Sequence, residues 1–155
     1  MRKPLMIGAI LALVPSFAYS ASGIVPFRGE VMSTCAITVD RAGTLAISPD
    51  YTILSSTQSG GMAGQVSILA SGVGYSVSTS APASFSSAPP TGNSHVTFAS
   101  IYSASGATTA LNVPGTTMTP LVSGLTDLSV DLTATKSSGV FQSGTYAADV
   151  IVTCE

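Results

Sequence analysis

Residues 25–40 read "VPFRGEVMSTCAITVD". Every second position can face one way: Val25, Phe27, Gly29, Val31, Ser33, Cys35, Ile37 and Val39. The opposite face carries Pro26, Arg28, Glu30, Met32, Thr34, Ala36 and Thr38. A side-chain period of two is the signature of a strand, so the pattern predicts one long strand with a cysteine on its apolar face. The same period returns through the chain. Leu45 and Ile47 form a short candidate strand before the turn signal Pro49-Asp50. Val66, Ile68 and Ala70 alternate, and Val73, Tyr75, Val77 and Thr79 alternate in a second register, with Gly72 and Gly74 at the switch. Glycines inside a strand pattern predict a bulge or a bend there. Residues 81–93 hold three prolines and many serines and read as a loop.

Val96, Phe98 and Ser100 start a further strand, and Leu111 and Val113 make a short one that ends at Pro114-Gly115. Pro120 confines residues 118–122 to a sheet edge, because proline donates no ladder hydrogen bond. The last third alternates most clearly. Leu128, Val130, Leu132 and Ala134 share one face, and Tyr146, Ala148, Val150, Val152 and Cys154 share another. No stretch after residue 20 repeats apolar positions at helical spacing. About seven or eight short strands separated by Gly, Pro and Ser turns predict an all-β sandwich.

The first twenty residues stand apart. Arg2 and Lys3 precede an apolar run at residues 6–14, and small residues follow at Ala18, Ser20 and Ser22. This is the layout of a secretory signal peptide, cleaved after Ser20 or, alternatively, after Ser22. The run is too short to span a bilayer, and no later run is long enough, so no transmembrane segment is expected after cleavage. Residues 21–155 then form a single exported domain. Loss of Arg2 and Lys3 takes the formal net charge from −2 to about −4, and only Arg28, Arg41 and Lys136 remain as basic residues. Such a surface offers no basic patch for nucleic acid. Cys35 and Cys154 are the two cysteines. In an exported chain an even count points to a disulfide, and here only one intramolecular pairing exists; the alternative is two separate free thiols. Both cysteines share a face with apolar neighbours, so a bond would join the first and last strands.

Catalytic and cofactor chemistry finds little support. His95 lies in "GNSHVTF" with no nucleophile pattern nearby and reads as an exposed residue at a strand start. One histidine and two distant cysteines do not make a zinc site of ordinary spacing. Asp127 and Asp131 fall on one strand face, where a carboxylate pair would hold calcium or act as acid and base; a solvated polar face is the simpler reading. "SGVGYS" opens no helix, so its glycines do not form a phosphate cradle. With no tryptophan and with Tyr51, Tyr75 and Tyr102 scattered, no aromatic sugar platform is evident. No catalytic residue, metal or cofactor is expected.

The two ends carry a resemblance. "VPFRGEVMSTCAI", through Phe27, Gly29, Val31 and Cys35, resembles the first strand of chaperone–usher fimbrial subunits. "SGTYAADVIVTCE", with Gly144 and Tyr146 leading an alternating run, looks like the last strand of pilins. The resemblance covers these two segments, and the middle matches only in composition and strand rhythm. It implies an immunoglobulin-like sandwich lacking a final strand, with a groove between the first and last strands. A periplasmic chaperone fills such a groove first, and the N-terminal extension of a neighbouring pilin subunit replaces it after delivery to an usher. Val25, Phe27 and Val31 would line one groove wall, and Tyr146, Ala148, Val150 and Val152 the other. The implied function is an exported structural or adhesive subunit of a fimbria-like surface assembly, in the periplasm in transit and then at the cell surface. The alternative is a self-sufficient secreted or periplasmic β-sandwich that binds a ligand or forms a coat.

Two features depart from the family pattern. Cleavage after Ser20 leaves only residues 21–24 ahead of Val25. Either the subunit accepts a strand and donates none, or residues 25–31 are themselves the donor. The first-strand cysteine of the family pairs with one in the following strand, whereas here the only partner is the penultimate residue. A bridge at that place would tie the two groove walls together.

Overall fold

The computed structural model describes residues 21–155. The expected signal peptide, residues 1–20, lies outside the described residues. The described residues contain ten strands and no helix, in two antiparallel sheets that give a sandwich-like, all-β body over Val31–Glu155. Residues 21–30 fall in a separate unit and carry no strand. No helix among the described residues is long and apolar enough to cross a membrane.

The larger sheet is organised by β9 (Gly124–Lys136). One edge of β9 pairs along its length with β6 (Val96–Gly106), and β7 (Ala110–Pro114) lies beyond β6. The other edge is shared. β4 (Gly64–Ala70) pairs with its first half and β3 (Ile53–Ser55) with its last residues. β1 (Cys35–Arg41) adds to β4, and β2 (Ala46–Ile47) adds to β3. The smaller sheet has β5 (Ser76–Ser80) in the middle, flanked by β10 (Ile151–Cys154) and β8 (Thr119–Pro120). The short strand containing Pro120 is an edge strand, as its missing donor requires.

The glycine-bearing break at residues 71–75 is where the chain leaves the larger sheet at β4 and enters the smaller one at β5. The register switch in the sequence therefore marks a change of sheet. Gly115 makes a second connection. Its N–H donates to the Ser100 carbonyl at 2.8 Å and its carbonyl accepts from Thr79 N at 2.7 Å. A Cβ at Gly115 would strike the Ser100 hydroxyl and would lie 2.6 Å from Thr79 Oγ1, so only glycine fits without a shift.

Two apolar clusters fill the body. In the first, Val66, Ile68, Leu128 and Val130 meet Val77, Tyr102, Ala104 and Leu121, all buried. Tyr102 is fully buried, and its Oη reaches the Val77 carbonyl (3.1 Å), the Thr117 carbonyl (2.8 Å) and Thr119 Oγ1 (2.6 Å). A phenol donates one proton and accepts others, so Tyr102 donates to a carbonyl while it accepts from Thr119, and ties β6 to the smaller sheet. The second cluster is aromatic. Phe85 stands edge-on to Phe98, Phe141 and Tyr146 at centroid distances of 4.8, 5.9 and 5.0 Å. Lys136 closes that end. Its Nζ donates to the Thr91 and Ser94 carbonyls and sits 5.4 Å from the Phe141 ring centroid. No buried side-chain polar atom lacks a partner among the described residues.

Several strand expectations change. The last strand, expected from Tyr146, begins only at Ile151, and the one expected from Val73 begins at Ser76. The predicted long strand over residues 25–40 begins only at Cys35, because among the described residues no strand lies beside the preceding ones to pair with them. β6 and β9 run further than the clear alternation, to Gly106 and Lys136. β3, whose three residues gave no periodic signal, forms because the end of β9 offers an unpaired edge.

Candidate functional site

Among the described residues β1 pairs only with β4, and β10 pairs only with β5. Each therefore presents a free edge of unpaired N–H and C=O groups, the feature that lets another strand add to a sheet. The two free edges flank a cleft of about 390 Å³. Ile37, Val39 and Leu45 line one side, Ala148, Val150 and Val152 the other, and Val66, Val130 and Leu132 form its floor. Val39 is 70% exposed although it alternates in step with Cys35 and Ile37. An apolar residue at an inward position of a strand that nothing covers marks an unfilled place in the core.

The Cys35–Cys154 disulfide is present, with the two Cα atoms 6.5 Å apart. Cys35 is the first residue of β1 and Cys154 the last of β10, so the bond crosses the cleft at one end. It pins the walls there and leaves the cleft open toward residues 41–45 and 148–150. Both cysteines pack against the first apolar cluster.

The sequence-predicted wall residues divide. Ala148, Val150 and Val152 line the cleft. Tyr146 is set in the aromatic cluster, 5.4 Å from Phe141 between ring centroids, and its Oη donates to the Gln142 carbonyl. It borders a smaller adjoining hollow together with Leu45, Leu54 and Ala148. Val25, Phe27 and Val31 precede β1, carry no strand and are exposed, Phe27 at 92%. Ile37, Val39 and Leu45 line that side of the cleft. The alternation of Cys35, Ile37 and Val39 carried the signal for two of these; Leu45 lies beyond β1, and its place followed from nothing in that alternation.

The other candidate groups do not assemble. His95 is exposed at the head of β6 in a left-handed backbone conformation (φ 57°), and its carbonyl accepts from Ser137 N. Asp127 and Asp131 project from the outer face of β9, and each takes its hydrogen bond from a different serine, Ser67 and Ser56. Among the described residues no three His, Cys, Asp or Glu side chains gather to hold a metal. One carboxylate has a shifted pKa. Asp50 is held below the ordinary carboxylate range, first by the Ser48 hydroxyl and then by the side chain and backbone N–H of Thr52.

Compared with known protein families, curated proteins and solved structures, the chain matches none.

Proposed function

We propose that the chain is an exported subunit of a fimbria-like surface assembly, built on an immunoglobulin-like sandwich that lacks one strand and receives it from a neighbour. The observation that carries this reading is the apolar cleft between two unpaired strand edges, β1 and β10. An added strand would pair with both edges while its alternate side chains fill the cleft. The donor is the segment 25–31 of another copy. Val25, Phe27 and Val31 alternate, and each is exposed in its own chain. Gly29 lies between them and adds no bulk. The disulfide supports export, since such bonds persist in oxidising compartments. A periplasmic chaperone that lends a strand, and an usher that exchanges it, fit a cleft which would otherwise be open to aggregation.

The test compares the full chain with a Phe27→Asp variant by light scattering after size-exclusion chromatography. The wild-type chain is expected to form head-to-tail oligomers. The variant should remain monomeric yet bind a synthetic peptide of residues 22–34. A wild-type monomer that binds no such peptide would support the other reading, a self-sufficient sandwich closed by its own disulfide.

A further inference from the structure

On the outer face of the larger sheet, Ala36, Leu69 and Leu125 are direct cross-strand partners in one row. Leu69 and Leu125 are 52% and 53% exposed. The next row along that face is polar: Thr38, Ser67 and Asp127, with the Ser67 hydroxyl within hydrogen-bond distance of both the Asp40 and the Asp127 carboxylates. Beyond the apolar row lie two loops joined by the Ser123 hydroxyl, which donates to the Gly72 carbonyl. They carry exposed Val73 and Val122, Val73 at 90%. These residues form an apolar cap with a polar border, the composition of an interaction surface.

The cap sits where the N-terminal arm leaves the body. The Met32 carbonyl accepts from Ser71 Oγ at 2.8 Å, Thr34 N donates to the same oxygen at 2.8 Å, and Ser71 N donates to the Thr34 carbonyl at 2.9 Å. Residues 32–34 are thus fastened beside the cap, and the donor segment ends at Val31. If residues 25–31 lie in a neighbour's cleft, no free linker separates the two bodies. The direction of insertion follows from the disulfide. It blocks one end of the acceptor cleft, so the arm must leave by the other end, past residues 42–45. Met62, which pairs with Thr44 there, is exposed as well.

We propose that the cap of Leu69, Val73, Val122 and Leu125 docks against the open cleft end of the next copy, around Ala42, Thr44 and Met62, as a second interface between consecutive subunits. The partner is another copy of this chain, and the inference rests on the strand-addition reading above. The absence of slack between Val31 and Met32 brings the two surfaces together. Burial of the cap then adds to the hold of the arm, and it limits swivelling between subunits.

The test uses an acceptor carrying Phe27→Asp, which cannot donate. Three donors are compared by their dissociation rates from it: the full chain, the Leu69→Asp/Leu125→Asp full chain, and the free peptide of residues 22–34. The full chain should leave at least about tenfold more slowly than the peptide. The double variant, which keeps the arm and alters only exposed positions, should leave as fast as the peptide. Val73→Asp in the donor and Met62→Asp in the acceptor should each give part of that loss. Equal rates for the wild-type and double-variant donors, with the peptide bound, would overturn the second interface alone. Failure of the peptide to bind would overturn the strand-addition reading and this inference with it.

Discussion

Two strands of the larger sheet, β9 at its centre and β1 at its edge, differ although their sequences look alike. β9 and β1 both alternate apolar and polar residues. On β9 the apolar set, Leu128, Val130, Leu132 and Ala134, is buried, because β4 or β3 covers one edge, β6 the other, and the smaller sheet packs against part of the inner face. On β1 the equivalent set starts with a disulfide-bonded cysteine and ends at exposed Val39. The difference is the neighbours: β1 is paired on one side only, and its other side borders the open cleft. Alternation thus identifies which side chains are built for burial, and the pairing of edges decides whether this chain alone can bury them.

The largest expected effect comes from the bond at the closed end of that gap. The disulfide closes a loop with a sequence separation of 119. In the chain-entropy picture its removal costs roughly 4–5 kcal/mol, a large share of the stability of a domain this size. A Cys35→Ser/Cys154→Ser variant should therefore unfold at much lower denaturant, measured by urea titration. Second, Leu128→Ala in the closed half should cost about 2–5 kcal/mol as a buried large-to-small change. Val39→Ala at the open edge should cost the isolated chain under about 0.5 kcal/mol, as surface changes do, while weakening the bound arm peptide. Similar losses at both positions would break the comparison.

Third, Tyr102→Phe removes the hydroxyl that bonds across the sheets and should cost about 1–3 kcal/mol, since Val77 and Thr117 carbonyls and the Thr119 hydroxyl lose a partner. The smallest effect is at Asp50, which is fully exposed. Its folded pKa is depressed, so its contribution is present above about pH 4 and is lost as pH falls through the folded value. The Asp50→Asn variant should be slightly less stable than wild type at neutral pH, and the difference should shrink as pH falls, seen in melts at pH 7 and pH 3.

Much of the fold was legible in the alternation. The strands containing Val66, Val96, Leu128 and Val152 stand within the stretches the pattern marked, and the glycines at 72 and 74 marked a real break. Pairing by cysteine count also held, since one bond was the only intramolecular choice. What periodicity could not convey was where a strand has a partner. "VPFRGEV" has the same rhythm as "CAITV", yet only the second finds β4 beside it. β3 was invisible for the converse reason, a three-residue strand created by an available edge. Of the cleft lining, Ala148, Val150 and Val152 stood out in the alternation. Ile37 and Val39 on the opposite side alternate too but were not set apart, because the arm and the first strand are continuous in pattern and the alternation does not say which part borders the cleft.

Strand addition requires that β1 and β10 both have open edges that one added strand can bridge. Hydrogen exchange of the backbone amides, followed by NMR on the Phe27→Asp chain with and without the peptide of residues 22–34, tests it most directly. The account predicts fast exchange for the cleft-facing amides of both strands in the free protein, and strong protection of both sets when the peptide binds. Protection of those amides in the free monomer, unchanged by peptide, would contradict it.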